Sequence, residues 1–211
     1  MARRILISAY YTPGPYAREA MRLVRSIERL PTDRLAAHIV EVDHVTTWKK
    51  AVMWKPTFLL STLLAYENCD VLYVDADAEF LRVPDWSIFD GVDLSWHALR
   101  RHPSHDAEYL TGTMFLRNTP DVRAFVASWA KRTELYDWSD TPEQHSLRDE
   151  WAKGEALAPA RRWSESLIWR DLPPELVFVF DDFVEIYPGV VPTILHHQAS
   201  RRLKTNSTNQ H

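Results

Sequence analysis

The stretch Val71-Leu72-Tyr73-Val74-Asp75-Ala76-Asp77-Ala78-Glu79-Phe80 decides how the rest of the chain is read. Its first half is apolar, rich in β-branched and aromatic residues and free of Gly and Pro, so it reads as a buried strand. The strand ends in two carboxylates spaced D-x-D. Where a strand leaves its sheet, the side chains can meet a ligand. Two carboxylates side by side repel each other unless a cation lies between them. Hard oxygen ligands suit Mg²⁺ or Mn²⁺, metals that are often shared with phosphate groups. Taken alone, D-x-D is equally a polar turn after a strand. The segments on either side weigh between the two.

Upstream, residues 5–10 form a first expected strand, broken by Pro13-Gly14-Pro15. Residues 16–30 place Ala20, Leu23, Val24, Ile27 and Leu30 on one helical stripe, ended by Pro31. A second strand is expected over 37–43, ending at Asp43. A helix follows over 46–66, interrupted at Pro56, with Phe58, Leu59, Thr62, Leu63 and Tyr66 as its packed face. The order β-α-β-α-β predicts a parallel, doubly wound α/β sheet. Such sheets bind ligands at the carboxyl ends of their strands. Tyr10-Tyr11-Thr12, Asp43 and the Asp75/Asp77 pair all stand there.

Downstream, a strand is expected over 93–97 and a polar, exposed loop over 100–108. Residues 109–118 read as a strand entered through Thr111-Gly112-Thr113, small residues that let backbone approach a ligand closely or form a bulge. A helix over 121–135 carries Asp121 near its N-terminus, and another starts near Pro142. Residues 151–162 are poorly patterned. Residues 176–180 read as a strand ending in Asp181-Asp182, and 190–195 lead into His196-His197. With no repeat and no second-domain boundary, one domain is expected over 1–204, followed by a disordered polar tail over 205–211.

At 211 residues one domain is the natural expectation. A net charge of −4 gives no global footprint for nucleic acid. The pairs Arg3-Arg4, Arg100-Arg101, Arg161-Arg162 and Arg201-Arg202 would bind a polyanion only if several shared a face. The single Cys69 excludes an internal disulfide and fits a reducing compartment. The N-terminal apolar run is too short for a signal peptide and no stretch has the length of a membrane span, so a soluble, cytoplasmic protein is expected.

In this order and spacing the pieces resemble the metal-dependent GT-A glycosyltransferases, closest to the compact bacterial and viral nucleotide-diphospho-sugar transferase type. That type is related to retaining galactosyltransferase and glycogenin-like enzymes. The resemblance runs from Ile5 to Lys204. It is carried by Ser8-Ala9-Tyr10-Tyr11-Thr12, Lys55, Val71 to Asp77, Thr111 to Asn118, Glu143-Gln144-His145-Ser146-Leu147 and His196-His197-Gln198-Ala199-Ser200. It implies an α/β, Rossmann-like single domain with a mixed, mostly parallel central sheet flanked by helices. It also implies transfer of a sugar from a nucleotide-diphosphate sugar, with a UDP-sugar as donor, to an acceptor hydroxyl, with retention.

The resemblance also implies roles. Ala9, Tyr10, Tyr11 and Thr12 would line the base and ribose pocket, with Asp43 near the base. Lys55 would face the ribose or diphosphate, and Ala76 would lie along the donor. Asp75 and Asp77 would hold Mn²⁺ or Mg²⁺, with His197, ahead of His196, as a late third ligand. Thr111, Gly112 and Thr113 would line the donor sugar, and Glu143 and Gln144 would touch it as the catalytic pair. Two departures stand out. The related enzymes often carry Asp-Gln where this chain has Glu143-Gln144. They also follow the His with a Gly and a diphosphate-binding Lys, where this chain has Ser200 and a Lys204 one residue further on; Arg201 or Arg202 would otherwise take the phosphate.

Residue chemistry adds its own constraints. An imidazole nitrogen beside two carboxylates tilts the metal from Mg²⁺ toward Mn²⁺. On extended backbone His196 and His197 point to opposite sides, so one at most is a ligand; Tyr10 and Tyr11 likewise divide between core and ligand. Glu143 and Gln144 are also ordinary helix-start residues. An inverting enzyme would need a carboxylate base, for which Asp106, Glu108, Asp140 and Glu143 are open. The resemblance leaves the acceptor open between a glycan, a small molecule and a hydroxylated base of modified DNA. A haloacid-dehalogenase-type phosphatase also uses D-x-D, but near its N-terminus and followed by a small hydroxyl residue, where this chain has Ala78-Glu79. A sugar-nucleotide pyrophosphorylase would need a Gly-rich loop after the first strand, where only Gly14 occurs. A sugar-nucleotide-binding protein without activity is the remaining alternative.

Overall fold

The computed structural model describes residues 3–31, 33, 35–45, 47–101, 106–153 and 163–199. Ser200, Arg201, Arg202, Lys204 and the tail lie outside the described residues, as do Arg161, Arg162 and most of the poorly patterned 151–162 segment.

Strand β1 (Arg4–Tyr11) leads through Gly14, whose φ of 87° requires a residue without Cβ, into helix α1 (Pro15–Ile27). Strand β2 (Leu35–Glu41) precedes α2 (Trp48–Ala65), whose first turn is capped by the Thr47 hydroxyl accepting from the Lys50 N–H. The expected break at Pro56 does not occur: α2 runs through it. Pro56 lacks one helical N–H, but Lys55, Pro56, Phe58 and Leu59 are all buried, and that packing outweighs the missing bond.

Next come β3 (Cys69–Val74), β4 (Ala78–Phe80), β5 (Leu94–Leu99) and β6 (Glu108–Leu116). They are followed by α3 (Pro120–Thr133), α4 (Pro142–Lys153), β7 (Trp169–Asp171), β8 (Phe178–Val179), α5 (Phe180–Ile186) and β9 (Ile194–His196). The expected strand over 176–180 is thus two residues of β8. Asp181 and Asp182 stand in the first turn of α5, where acids match the helix dipole.

The main sheet has the order β2-β1-β3-β6-β5-β7, and β6 alone runs against the other five strands. It is the mixed, mostly parallel α/β sheet expected. Both faces are covered. Val71 and Tyr73 face one core with Phe58, Leu59, Trp96, Phe125, Trp129 and Trp163. Leu72 and Val74 face the other with Ile7, Leu23, Phe80, Phe115 and Phe183. Aromatic side chains fill much of the core: Trp96, Trp129 and Trp163 are fully buried. A second sheet, β4-β9-β8, follows directly from the D-x-D turn. No helix among the described residues is long and apolar enough to cross a membrane.

Candidate active site

Two strand registers build the centre. Pairing of β3 with β6 sets Val74 opposite Thr113, and the Asp75 N–H donates to the Gly112 carbonyl at 2.8 Å. Pairing of β4 with β9 sets Ala78 opposite His196. The outcome is a cluster of Asp75, Asp77 and His196 whose ligand atoms all lie within 4.8 Å of one another.

Each member has one polar atom held by protein and one left over. Asp75 Oδ1 accepts from Lys55 Nζ at 2.9 Å and from the Tyr73 hydroxyl at 2.7 Å. Asp77 Oδ2 accepts from the Ala199 N–H at 2.8 Å, and its Oδ1 lies 3.7 Å from His196 Nδ1. His196 Nε2 lies 2.8 Å from Thr113 Oγ1. The remaining atoms, Asp75 Oδ2, Asp77 Oδ1 and His196 Nδ1, form a two-carboxylate, one-imidazole donor set. Gly112 lies against it: a Cβ there would stand 3.3 Å from Asp75 Oδ2 and 3.2 Å from His196 Cε1. The donor set suits Mn²⁺ and, through its oxygens, Mg²⁺. Burial pushes the Asp77 carboxyl up, but His196, the Ala199 N–H and the His197 charge outweigh it and hold it below the usual range.

Of the two histidines it is His196, not the expected His197, that faces the carboxylates. His197 faces the other way, its Nε2 2.9 Å from Glu79 Oε2, while its N–H donates to the Asp77 carbonyl. Strand alternation separated the pair, but the β4–β9 register determines which one faces the carboxylates.

Two cavities meet at the cluster. The first, of about 200 Å³, is lined by Tyr11, Thr12, Tyr16, Trp48, Val52 and Asp77, among others. Both tyrosines line this cavity and differ in burial. Tyr10 is buried in the core and donates its hydroxyl to the Ala51 carbonyl at 2.7 Å, whereas Tyr11 is partly exposed at the cavity. The Tyr16 phenol also faces the acids; burial, then Asp77 and Asp75, push it up to about 12, so it stays a proton donor. Asp43 is almost fully exposed, 4.0 Å from its neighbour His44, and lines neither cavity. Ala76 lines the first cavity; Ala9 is buried in the core under the sheet.

The second cavity, of about 340 Å³, holds Thr111, Gly112, Thr113, Glu143, Gln144 and His196 in its walls. Lys55 stands between the cavities, 3% exposed, and all three of its ammonium protons are engaged: with Asp75, with the Thr111 carbonyl at 3.1 Å and with Thr111 Oγ1 at 3.1 Å. It holds Asp75 rather than facing an open cavity as a free cation. The Thr111 hydroxyl in turn donates to Glu143 Oε1 at 3.2 Å, and Glu143 Oε2 is buried with no hydrogen-bond partner among the described residues. Burial raises the Glu143 carboxyl against the opposing pull of Lys55.

Tyr16, Trp48 and Asp182 line these cavities without having been singled out in the sequence as donor-site residues. Tyr16 had a signal: it opens the helix that starts at the ligand end of β1.

No protein-family model and no curated protein matches the chain. Solved structures do. A glycosyltransferase involved in the glycosylation of the major capsid of PBCV-1 superposes with a TM-score of 0.64 at 14% identity, over 97% of this chain and 99% of that one. The glycosyltransferase GlyE of Streptococcus pneumoniae TIGR4 superposes at 0.60 and 13% identity, over 93% of this chain and 54% of that one. The chain thus spans about half of the second protein and has the fold that both glycosyltransferases share.

Proposed function

We propose that the chain transfers a sugar, a hexose in the simplest case, from a nucleotide-diphosphate sugar to an acceptor hydroxyl in a metal-dependent reaction. The observation that carries this is the cluster at the meeting of two cavities, each of its three side chains anchored through one atom and free through the other. Asp75, Asp77 and His196 would hold Mn²⁺ or Mg²⁺, which supplies Lewis-acid stabilisation of a departing diphosphate. Binding through His196 Nδ1 requires the ring proton on Nε2, where it donates to Thr113 and fixes the ring.

The first cavity suits a flat base and ribose, with Tyr11, Thr12 and Trp48 in its walls, and UDP is the nucleotide we assign. Tyr16 offers a proton-bearing phenol beside the diphosphate position. The sugar would lie over Thr111-Gly112-Thr113 against Glu143 and Gln144. Retention is the course we assign: the Gln144 amide stands beside Glu143 at the sugar end, where its oxygen would stabilise positive charge developing on the ring.

A donor screen tests the reading. Nucleotide release from UDP-, GDP- and other nucleotide sugars is followed with Mn²⁺, then with Asp77→Asn. Release in the wild type that collapses in the variant supports the proposal, and the anomeric configuration of the product, read by NMR, reports the stereochemistry. Equal behaviour of the two proteins, or no turnover of any donor, rejects it.

A further inference from the structure

A third cavity, of about 270 Å³, opens from the sugar side of the site. It is lined by Asp106, Glu108, Tyr109, Gln144, His145 and Arg148, among others. Glu108, Thr141 and Gln144 line both this cavity and the one that holds Gly112 and His196, so the two are contiguous and Gln144 stands at their boundary.

Beside His145, a residue of this cavity's wall, stands an unusual side chain. Trp138 is 75% exposed, the most exposed large hydrophobic residue among those described. Its ring lies nearly parallel to that of His145, at 19° and 6.3 Å between centroids, with Tyr136 5.6 Å away on the same loop. The platform is held in place. Ser139, itself buried, pairs its hydroxyl with His145 Nδ1 at 2.7 Å and accepts from the Thr141 N–H at 3.0 Å. The loop that presents Trp138 is therefore tied to the start of α4, which also presents Gln144.

We infer that this groove, from Gln144 past Asp106, Glu108 and Arg148 to Trp138, is an acceptor site for a neutral oligosaccharide. The inference rests on the sugar-transfer reading above for its role and supplies the class of acceptor. An exposed indole offers a rigid apolar face to the C–H face of a pyranose. Carboxylate, amide and guanidinium groups along the groove match the hydroxyls at the ring's edge. Charge separates this ligand from a nucleic acid, whose bases would also stack on an indole. Two acids face one arginine in the groove, Arg148 has Asp149 3.5 Å away, and Arg101 at the rim is engaged by Glu108 and Asp182. Among the described residues, phosphates would find no free cationic track there.

Saturation-transfer NMR on the full chain tests this without any donor. The probes are lactose, maltotriose, cellotriose and chitotriose, with a short single-stranded DNA oligonucleotide as the opposing arm. Binding of at least one saccharide, lost in Trp138→Ala but kept in Trp138→Phe and in Leu135→Ala, is the expected result. Leu135 is a second exposed apolar residue, three positions before Trp138, and reports a general sticky patch. In transfer assays with the bound saccharide, Trp138→Ala raises the acceptor KM about tenfold, with the effect on acceptor rather than donor KM. Binding of no saccharide, equal binding by Trp138→Ala, or binding of the oligonucleotide alone overturns the inference. Saccharide binding as predicted with no donor turnover instead rejects the transfer reading and leaves a saccharide site.

Discussion

Lys55 Nζ lies 2.9 Å from Asp75 Oδ1, deep in the protein, with its other two protons on Thr111. The lysine thus fixes one oxygen of Asp75 and leaves Oδ2 for a ligand. It also links the two sides of the site, because the Thr111 hydroxyl it touches donates to Glu143. Lys55→Met keeps most of the side-chain volume and removes the charge and the donors. Roughly 10- to 100-fold weaker Mn²⁺ binding is expected, with a parallel loss in kcat/KM. Calorimetric titration of the metal reads the first directly; unaltered affinity would show that Tyr73 alone suffices to hold Asp75.

The two adjacent histidines predict opposite phenotypes. His196→Ala removes the nitrogen that faces Asp77 and is expected to lower Mn²⁺ affinity at least tenfold. His197→Ala removes a contact with Glu79 on a partly exposed edge and the weakest of the pulls on Asp77, and is expected to change metal affinity by less than about threefold. Equal losses in the two variants would place the third ligand elsewhere.

Glu143 gives a pH signature. Burial raises its carboxyl above the ordinary value of 4.5, so between that value and its raised one the folded protein holds a proton that the unfolded chain has released. Stability from this group therefore falls as pH rises through that window. Glu143→Gln removes the cost of ionising a buried acid. The variant is expected to gain in Tm over the wild type at pH 8 by a few degrees and to show no gain at pH 4, where the wild-type carboxyl is protonated in both states. Thermal unfolding at the two pH values checks the sign.

The order β-α-β-α-β and the D-x-D strand were legible because they rest on apolar runs and helical stripes, which a buried two-faced sheet imposes directly. Tyr10 against Tyr11 was legible as a division for the same reason, through alternation. His196 against His197 was not. That choice depends on how β9 pairs with β4, two three-residue strands whose register no local pattern encodes. Residues 176–180 failed differently. A short apolar run reads alike as strand or helix start, and here two residues pair with β9 before Phe180, Asp181 and Asp182 turn into α5. The involvement of Lys55 was visible as a basic residue ahead of the motif. That its protons are spent on Asp75 and Thr111 follows only from the packing of α2 against the ends of β3 and β6.

Gly112 offers the sharpest steric test. Its backbone does not need glycine for its dihedral angles, since its φ is not in the left-handed region. What it needs is the missing Cβ, which would approach His196 Cε1 to 3.2 Å and Asp75 Oδ2 to 3.3 Å. Such contacts are relieved when a neighbour swings away. Here neither neighbour is free: Asp75 is held through Oδ1 by Lys55 and Tyr73, and His196 through Nε2 by Thr113. Gly112→Ala is therefore expected to fold with a Tm close to that of the wild type while binding Mn²⁺ about tenfold more weakly, and Gly112→Val to lose binding altogether. The opposite pattern, a large drop in Tm with metal affinity intact, would mean that Gly112 serves the β3–β6 pairing and not the cluster.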